Sequence, residues 1–340
     1  MIRTNLCLHY AVRDVLDMTL YDLLKTKKCF KLVCAAANEN EEEIKKLIAI
    51  YSKAGCHFFD LCAKKEILQA AKQGLDYSIP KEEQNNFHFC ISVGIKDNQH
   101  ISKAFIARNI CTNCKKCLEI CPQHAIEQHG KTCTVISKNC IGCQKCLETC
   151  PAQAISMHSE DTNLQKILPE LISLGISCIE LHISGEDEEE IDKKWNELNT
   201  CFNGILSICQ SRREIGDKKI IERLQRLISK RPPFSTIIQT DGKPMSGSDD
   251  SYKTTLQTVA FAEIIQNSKL PVFIMLSGGT NSKTSELAHL CGVNADAVAM
   301  GSYARKIVRP YLDMPDLLEN KQSFEEAVNL AKNLIKSVSK

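Results

Sequence analysis

Two runs of cysteine constrain this chain more than any other feature. CTNCKKCLEICP occupies residues 111–122 and CIGCQKCLETCP residues 140–151, and both read C-x2-C-x2-C-x3-C-P. Thiols spaced so closely, in segments too short to bury a core, predict a module organised around a metal group. They account for only part of the 19 cysteines, and the others are scattered singly. A disulfide scaffold is short and secreted. This chain has 340 residues and opens with MIRTNLCLHYAVRDVLDM, which lacks the continuous apolar stretch of a secretory signal. Runs such as VFIML fall far short of the ~20 apolar residues a bilayer span needs, so no membrane span is expected. A formal charge of +2 and the lack of a basic stripe interleaved with aromatics predict no nucleic-acid partner. A reducing, soluble compartment suits this cysteine usage.

The spacing is that of two-cluster ferredoxins, in which three thiolates of a run hold one cluster and the fourth crosses to the other. It assigns Cys111, Cys114, Cys117 and Cys150 to one [4Fe–4S] cluster, and Cys140, Cys143, Cys146 and Cys121 to a second. Zinc knuckles also use C-x2-C pairs, but with a wider gap between pairs, so they suit these runs poorly. Pro122 and Pro151 favour a turn out of each run, with a helix expected to start at the last cysteine. The connector QHAIEQHGKTCTVISKN is read as a short helix, a turn at Gly130 and a strand. Cys133 within it reads as a small buried hydrophobe rather than a ligand. Lys103, Arg108, Lys115, Lys116, Lys131, Lys138 and Lys145 outnumber Glu119, Glu127 and Glu148 here, unlike an acidic carrier docking on basic partners.

Outside the module, apolar strands alternate with amphipathic helices. Three strand candidates precede it (31–37, 57–63, 87–94) and five follow (178–184, 204–210, 235–242, 272–279, 296–302). Helical stripes lie between, as at Ile44, Leu47, Ile48 and Tyr51, or Ile220, Leu224, Leu227 and Ile228. Eight strands each followed by a helix predict an α/β fold, a (β/α)8 barrel interrupted after strand 3 by a ferredoxin-like α+β insert. Residues 1–100 then form its first part, 101–158 the insert and 159–340 the remainder. Two separate α/β domains flanking the insert are the competing arrangement. The acidic SGEDEEEID is explained by a helix N-terminus and carries no site.

Strand alternation sets Asp60, Glu180, His182, Ser184, Gln239 and Asp241 on faces that would meet at the barrel mouth. They form either a ligand site or a polar layer satisfied by hydrogen bonds and water. Gly278, Gly279 and Thr280 follow strand 7, and Gly301, Ser302 and Arg305 follow strand 8, where barrels bind phosphate. Lys243, in a long loop after strand 6, is an electrostatic anchor, a Schiff-base amine or a solvated lysine. Cys34, Cys62, Cys90, Cys178 and Cys209 read as core filler.

FKLVCAAANENEEEIKKLIAIYSKAGCHFFDLCA, the paired cysteine runs, QTDGKPMSG, LSGGTN and GSYARK follow one another in an order that resembles the LdpA (light-dependent-period) family of cyanobacteria and algae. The resemblance runs from about residue 20 to near the end. It implies an iron–sulfur protein that senses cellular redox state and adjusts circadian period, with no catalytic activity attached. It also implies a cytoplasmic or plastid-stromal location and a protein redox or signalling partner; quinone is a further candidate, and the glycine loops after strands 7 and 8 add a phosphate-bearing small molecule. The alternative function is a flavin- or phosphate-ligand-binding barrel oxidoreductase that uses its own clusters as an electron relay.

Overall fold

Short strands with side chains of opposite character on their two faces pack both inward and outward, and here they close on themselves. The computed structural model describes residues 18–95, 101–159, 163–183, 185, 187–212, 215–242 and 249–338. Strands β1 (Cys29–Val33), β2 (Phe58–Cys62) and β3 (His88–Gly94) lead into the insert. It contains β4 (Lys103–Ile106), β5 (Ile126–His129), β6 (Thr132–Val135) and β7 (Ile155–His158). The barrel resumes with β8 (Cys178–Ile183), β9 (Ile205–Ser211), β10 (Thr236–Asp241), β11 (Phe273–Ser277) and β12 (Ala297–Met300). The closed order is β1-β12-β11-β10-β9-β8-β3-β2, all parallel. One closed sheet rules out two separate flanking α/β domains.

β3 and β8 pair directly although the whole insert lies between them, with Cys90 opposite Cys178, Ser92 opposite Glu180 and Gly94 opposite His182. The insert therefore leaves from the C-terminal end of β3, on the face where barrels carry their functional loops. Its β4 and β7 form an antiparallel pair, and β5 and β6 form a hairpin.

The barrel interior is layered. Cys29, Phe58, Cys90, Cys178, Ile237, Phe273 and Ala297 pack as an apolar floor, which Leu20, Leu23 and Leu24 of helix Leu20–Lys25 seal from below. Thr19 and Asp22 close that helix's N-terminus with a capping box. Above the floor the inward positions turn polar. Outside the strands, the predicted stripes at Ile44, Leu47 and Ile48 and at Ile220, Leu224 and Leu227 are buried in the main core. Each such fully buried aliphatic side chain contributes about 1.5–3 kcal/mol.

The connector in the insert departs from its reading. Helices Lys116–Ile120 and Lys145–Thr149 precede the last cysteine of each run, which ends the helix instead of starting one. IEQH is a strand, because Ile126 pairs with Val135 and Glu127 with Thr134 across the Gly130 turn. Among the described residues, no helix is long and apolar enough to cross a membrane.

Candidate functional site

The insert is built twice from one backbone plan. Asn113 and Gly142, Lys115 and Gln144, and His124 and Gln153 share positive φ. Each pair is separated by the same 29 positions that separate Cys111 from Cys140 (140 − 111). A non-glycine residue in that region costs about 1–2 kcal/mol, so its recurrence at matching positions points to a shared local demand. That demand is wrapping the chain around sulfur. The Ala125 and Ala154 N–H groups donate to Cys121 and Cys150 Sγ at 3.3 Å each, and the Ala104 N–H donates to Cys140 Sγ at 3.4 Å.

Cys121, Cys140, Cys143 and Cys146 line one small cavity with Ala104, Ala125, Ile126 and Met157. The fourth cysteine of the first run thus sits with the first three of the second. Burial pushes the Cys143 thiol up and takes Cys146 to about 11 and Cys117 to about 12. Thiolates in these places need a cationic partner. Zinc is a poor match, because zinc sites take four ligands from C-x2-C pairs set farther apart than these runs are. An apolar wall and N–H···S hydrogen bonds around four converging cysteines fit an iron–sulfur cube.

Cys133 is buried, at 1% exposure, as its reading required. Its position is more specific than core filler. The thiol donates to Asn113 Oδ1 at 3.8 Å, inside the first run, and the side chain packs in one cluster with Cys117 and Cys111. Nothing in its spacing signalled this, since the hairpin register brings it there.

At the barrel mouth, Asp60, Glu180, His182, Gln239 and Asp241 all point inward and line one cavity of about 80 Å³. Sequence reasoning missed their centre, Lys31. Its Nζ is bonded to Glu180 and lies 3.6 Å from Asp60 Oδ2. Burial alone would lower the Lys31 pKa, but the neighbouring charges of Asp60 and Glu180 outweigh it and hold the ammonium well above its ordinary range. Lys31 is thus held by two carboxylates as the cation at the centre of the polar layer. Ser92 Oγ donates to Asp60 Oδ1 at 2.7 Å, and His182 Nε2 lies 3.1 Å from Glu180 Oε1 and 3.2 Å from Ser92 Oγ. Gln239 Nε2 donates to Glu180 and, at 3.0 Å, to Ser207 Oγ. Glu180, His182 and Cys209 bring an oxygen, a nitrogen and a sulfur within 4.8 Å. Because Lys31 already neutralises Glu180, and burial pushes the Cys209 thiol well up, this triad is poorly charged for a divalent ion.

Gly278, Gly279, Thr280, Gly301, Ser302 and Arg305 form the cavity rim. Gly278 is required where it stands: φ is +69°, and a Cβ would lie 1.8 Å from Asp241 Oδ1. Thr280 Oγ1 is turned away, donating to the Ala299 carbonyl at 2.6 Å. At about 80 Å³ the cavity is smaller than the ~300–1,000 Å³ of drug-sized sites and gives a flavin ring system no support. Ser184 and Lys243 lie outside the described residues.

The insert is anchored over this mouth. Gln123 Nε2 donates to Glu43 Oε1 at 2.9 Å, and Arg309 Nη1 donates to Glu43 Oε2 at 2.8 Å. Burial would raise the Glu43 carboxyl, but Arg309 outweighs it and holds the group below its usual range. Lys103 pairs with Glu39 at 2.8 Å, and Asn40 Nδ2 donates to Asn139 Oδ1 at 3.0 Å. Between insert and barrel remains a gap of about 370 Å³, lined by Pro122, Gln123, Ile141, Cys143, Lys145, Ser302, Arg305, Lys306 and Arg309.

A closed α/β barrel carrying a cluster-type cysteine module after its third strand defines an iron–sulfur protein on a barrel scaffold. Residues 104–157 match the 4Fe-4S dicluster domain, and residues 170–339 match the Light dependent period A C-terminal domain. The chain belongs to the light dependent period A family. Its relative Light dependent period A of Synechococcus elongatus is 29% identical over 294 residues, 77% of this chain and 74% of the relative. The solved YdjI aldolase of Escherichia coli K12 shares 9% identity, covers 95% of this chain and 97% of its own, and superposes with a TM-score of 0.51. That likeness concerns the barrel fold alone.

Proposed function

We propose that the insert holds two [4Fe–4S] clusters and that the protein senses cellular redox state through them. One cluster is assigned to Cys111, Cys114, Cys117 and Cys150, the other to Cys140, Cys143, Cys146 and Cys121. The observation that carries this reading is the shared cavity of Cys121 with Cys140, Cys143 and Cys146. The repeated backbone plan extends it to Cys150, the counterpart of Cys121. Such clusters supply one-electron storage at potentials tuned by hydrogen bonds and burial.

The chain's own residues provide the N–H···S donors, exclude water through Ile106, Ile126 and Ile155, and fix the insert to the barrel through Glu43 and Arg309. The output is a regulatory protein contact, such as the control of light-dependent period to which the relative's name refers. A reducing cytoplasm or plastid stroma suits this role. Cys114→Ser and Cys143→Ser, prepared anaerobically, are each expected to lose one cluster's iron and its low-temperature EPR signal. Unchanged iron and spectra in both variants would refute the ligand assignment.

A further inference from the structure

The gap between insert and barrel lies beside the second cysteine set, and its chemistry is distinctive. Lys145 comes from the insert, and Arg305, Lys306 and Arg309 come from helix Ser302–Leu312; no carboxylate is among the lining residues, and Lys306 also borders a neighbouring hollow with Asp249 and Asp250. Arg309 is already paired with Glu43. Arg305 is 5% exposed, and its hydrogen bond among the described residues runs from Nη1 to the Val33 carbonyl. Both Arg305 and Ser302 also line the barrel-mouth cavity, so the two spaces share a wall. A third feature is the position of Cys143, whose side chain faces both this gap and the cavity of the second cysteine set.

A semi-enclosed space of about 370 Å³ lies in the range of small-molecule sites, whereas docking of a protein calls for a broad open face. Buried guanidinium and clustered ammonium groups recognise phosphate. We propose that the gap binds a phosphate-bearing small molecule, and that this anion and the neighbouring cluster influence each other electrostatically. The binding half stands on the gap alone; the coupling half rests on the cluster reading above. Reduction adds a negative charge beside the anion, so the oxidised protein binds it more tightly. By reciprocity, the bound anion lowers the reduction potential. Each tenfold difference in affinity between the two redox states corresponds to a shift of about 59 mV for one electron.

The test uses anaerobic full-length protein whose iron and sulfide have first been quantified, with inorganic pyrophosphate as probe at constant ionic strength. Calorimetry is expected to show saturable binding that Lys145→Gln plus Lys306→Gln weakens at least tenfold. These two side chains are partly or fully exposed, so the double variant is expected to fold. EPR-monitored titration is expected to show one signal moving to lower potential with pyrophosphate, and the double variant to lack that shift. Cluster-loaded protein that binds no pyrophosphate, or binds it equally well in the double variant, overturns the site. Binding with an unmoved potential overturns the coupling. Protein lacking clusters defeats the reading of the previous section, while the calorimetry still decides the site.

Discussion

Lys31 and Glu180 form an ion pair inside the barrel, with both side chains shut off from solvent and 149 positions of chain between them. Asp60 stands on the other side of the ammonium at 3.6 Å. Removing one member of a buried pair leaves the other charge uncompensated, at a cost of about 3–5 kcal/mol. Lys31→Met is therefore expected to lower the urea midpoint strongly, and Lys31→Met with Glu180→Gln to recover part of the loss. A single variant as stable as the parent would show that water reaches the pair.

Gly278 and Gly55 both have positive φ, but only Gly278 is crowded. A Cβ at Gly55 meets nothing within 4 Å, whereas at Gly278 it collides with Asp241 Oδ1 at 1.8 Å. Gly55→Ala is expected to lose only the conformational cost of about 1–2 kcal/mol. Gly278→Ala is expected to lose more, because the Asp241 carboxylate has to move. Equal losses in a denaturation comparison would contradict the packing at the mouth.

His88, at the start of β3, is buried with Nε2 donating to the Met18 carbonyl at 3.0 Å. Burial lowers its pKa from 6.5 to about 4. The unfolded chain takes up this proton first, so the contribution to stability is complete above pH 6.5 and is lost as pH falls toward 4. The full effect is about 3 kcal/mol. His88→Gln is expected to show a shallower fall in stability between pH 7 and 4.5 than the parent. Parallel curves would remove His88 from the acid response.

Cys133 touches the first cysteine run without belonging to it. If its thiol only donates to a cluster sulfur, Cys133→Ala keeps the iron content and moves one EPR-monitored potential downward, as a hydrogen bond to sulfur is lost. Loss of that cluster's iron would instead make Cys133 a ligand.

Much of this architecture was legible in the chain. Strand β8 announced itself because Glu180 and His182 alternate with aliphatic residues, and β10 because Ile237 and Ile238 lead into Gln239 and Asp241 on one face. The glycine turns were legible from their place after the last two strands. Lys31 was not, because a single lysine in an apolar strand acquires meaning only from partners on β2 and β8. The hairpin of the connector was hidden for a similar reason. Gln, Ala and Glu favour helix locally, and the pairing of Ile126 with Val135 overrides them. Helix Leu20–Lys25 is too short to show a stripe, and its role as a plug depends on the barrel floor it meets.

The most direct test of the account is elemental analysis of anaerobically purified protein, with iron, acid-labile sulfide, zinc and flavin measured together on one sample. Two clusters' worth of iron and sulfide per chain, four of each per cluster, with negligible zinc, is the expected result. Colourless protein carrying zinc and no sulfide would contradict it.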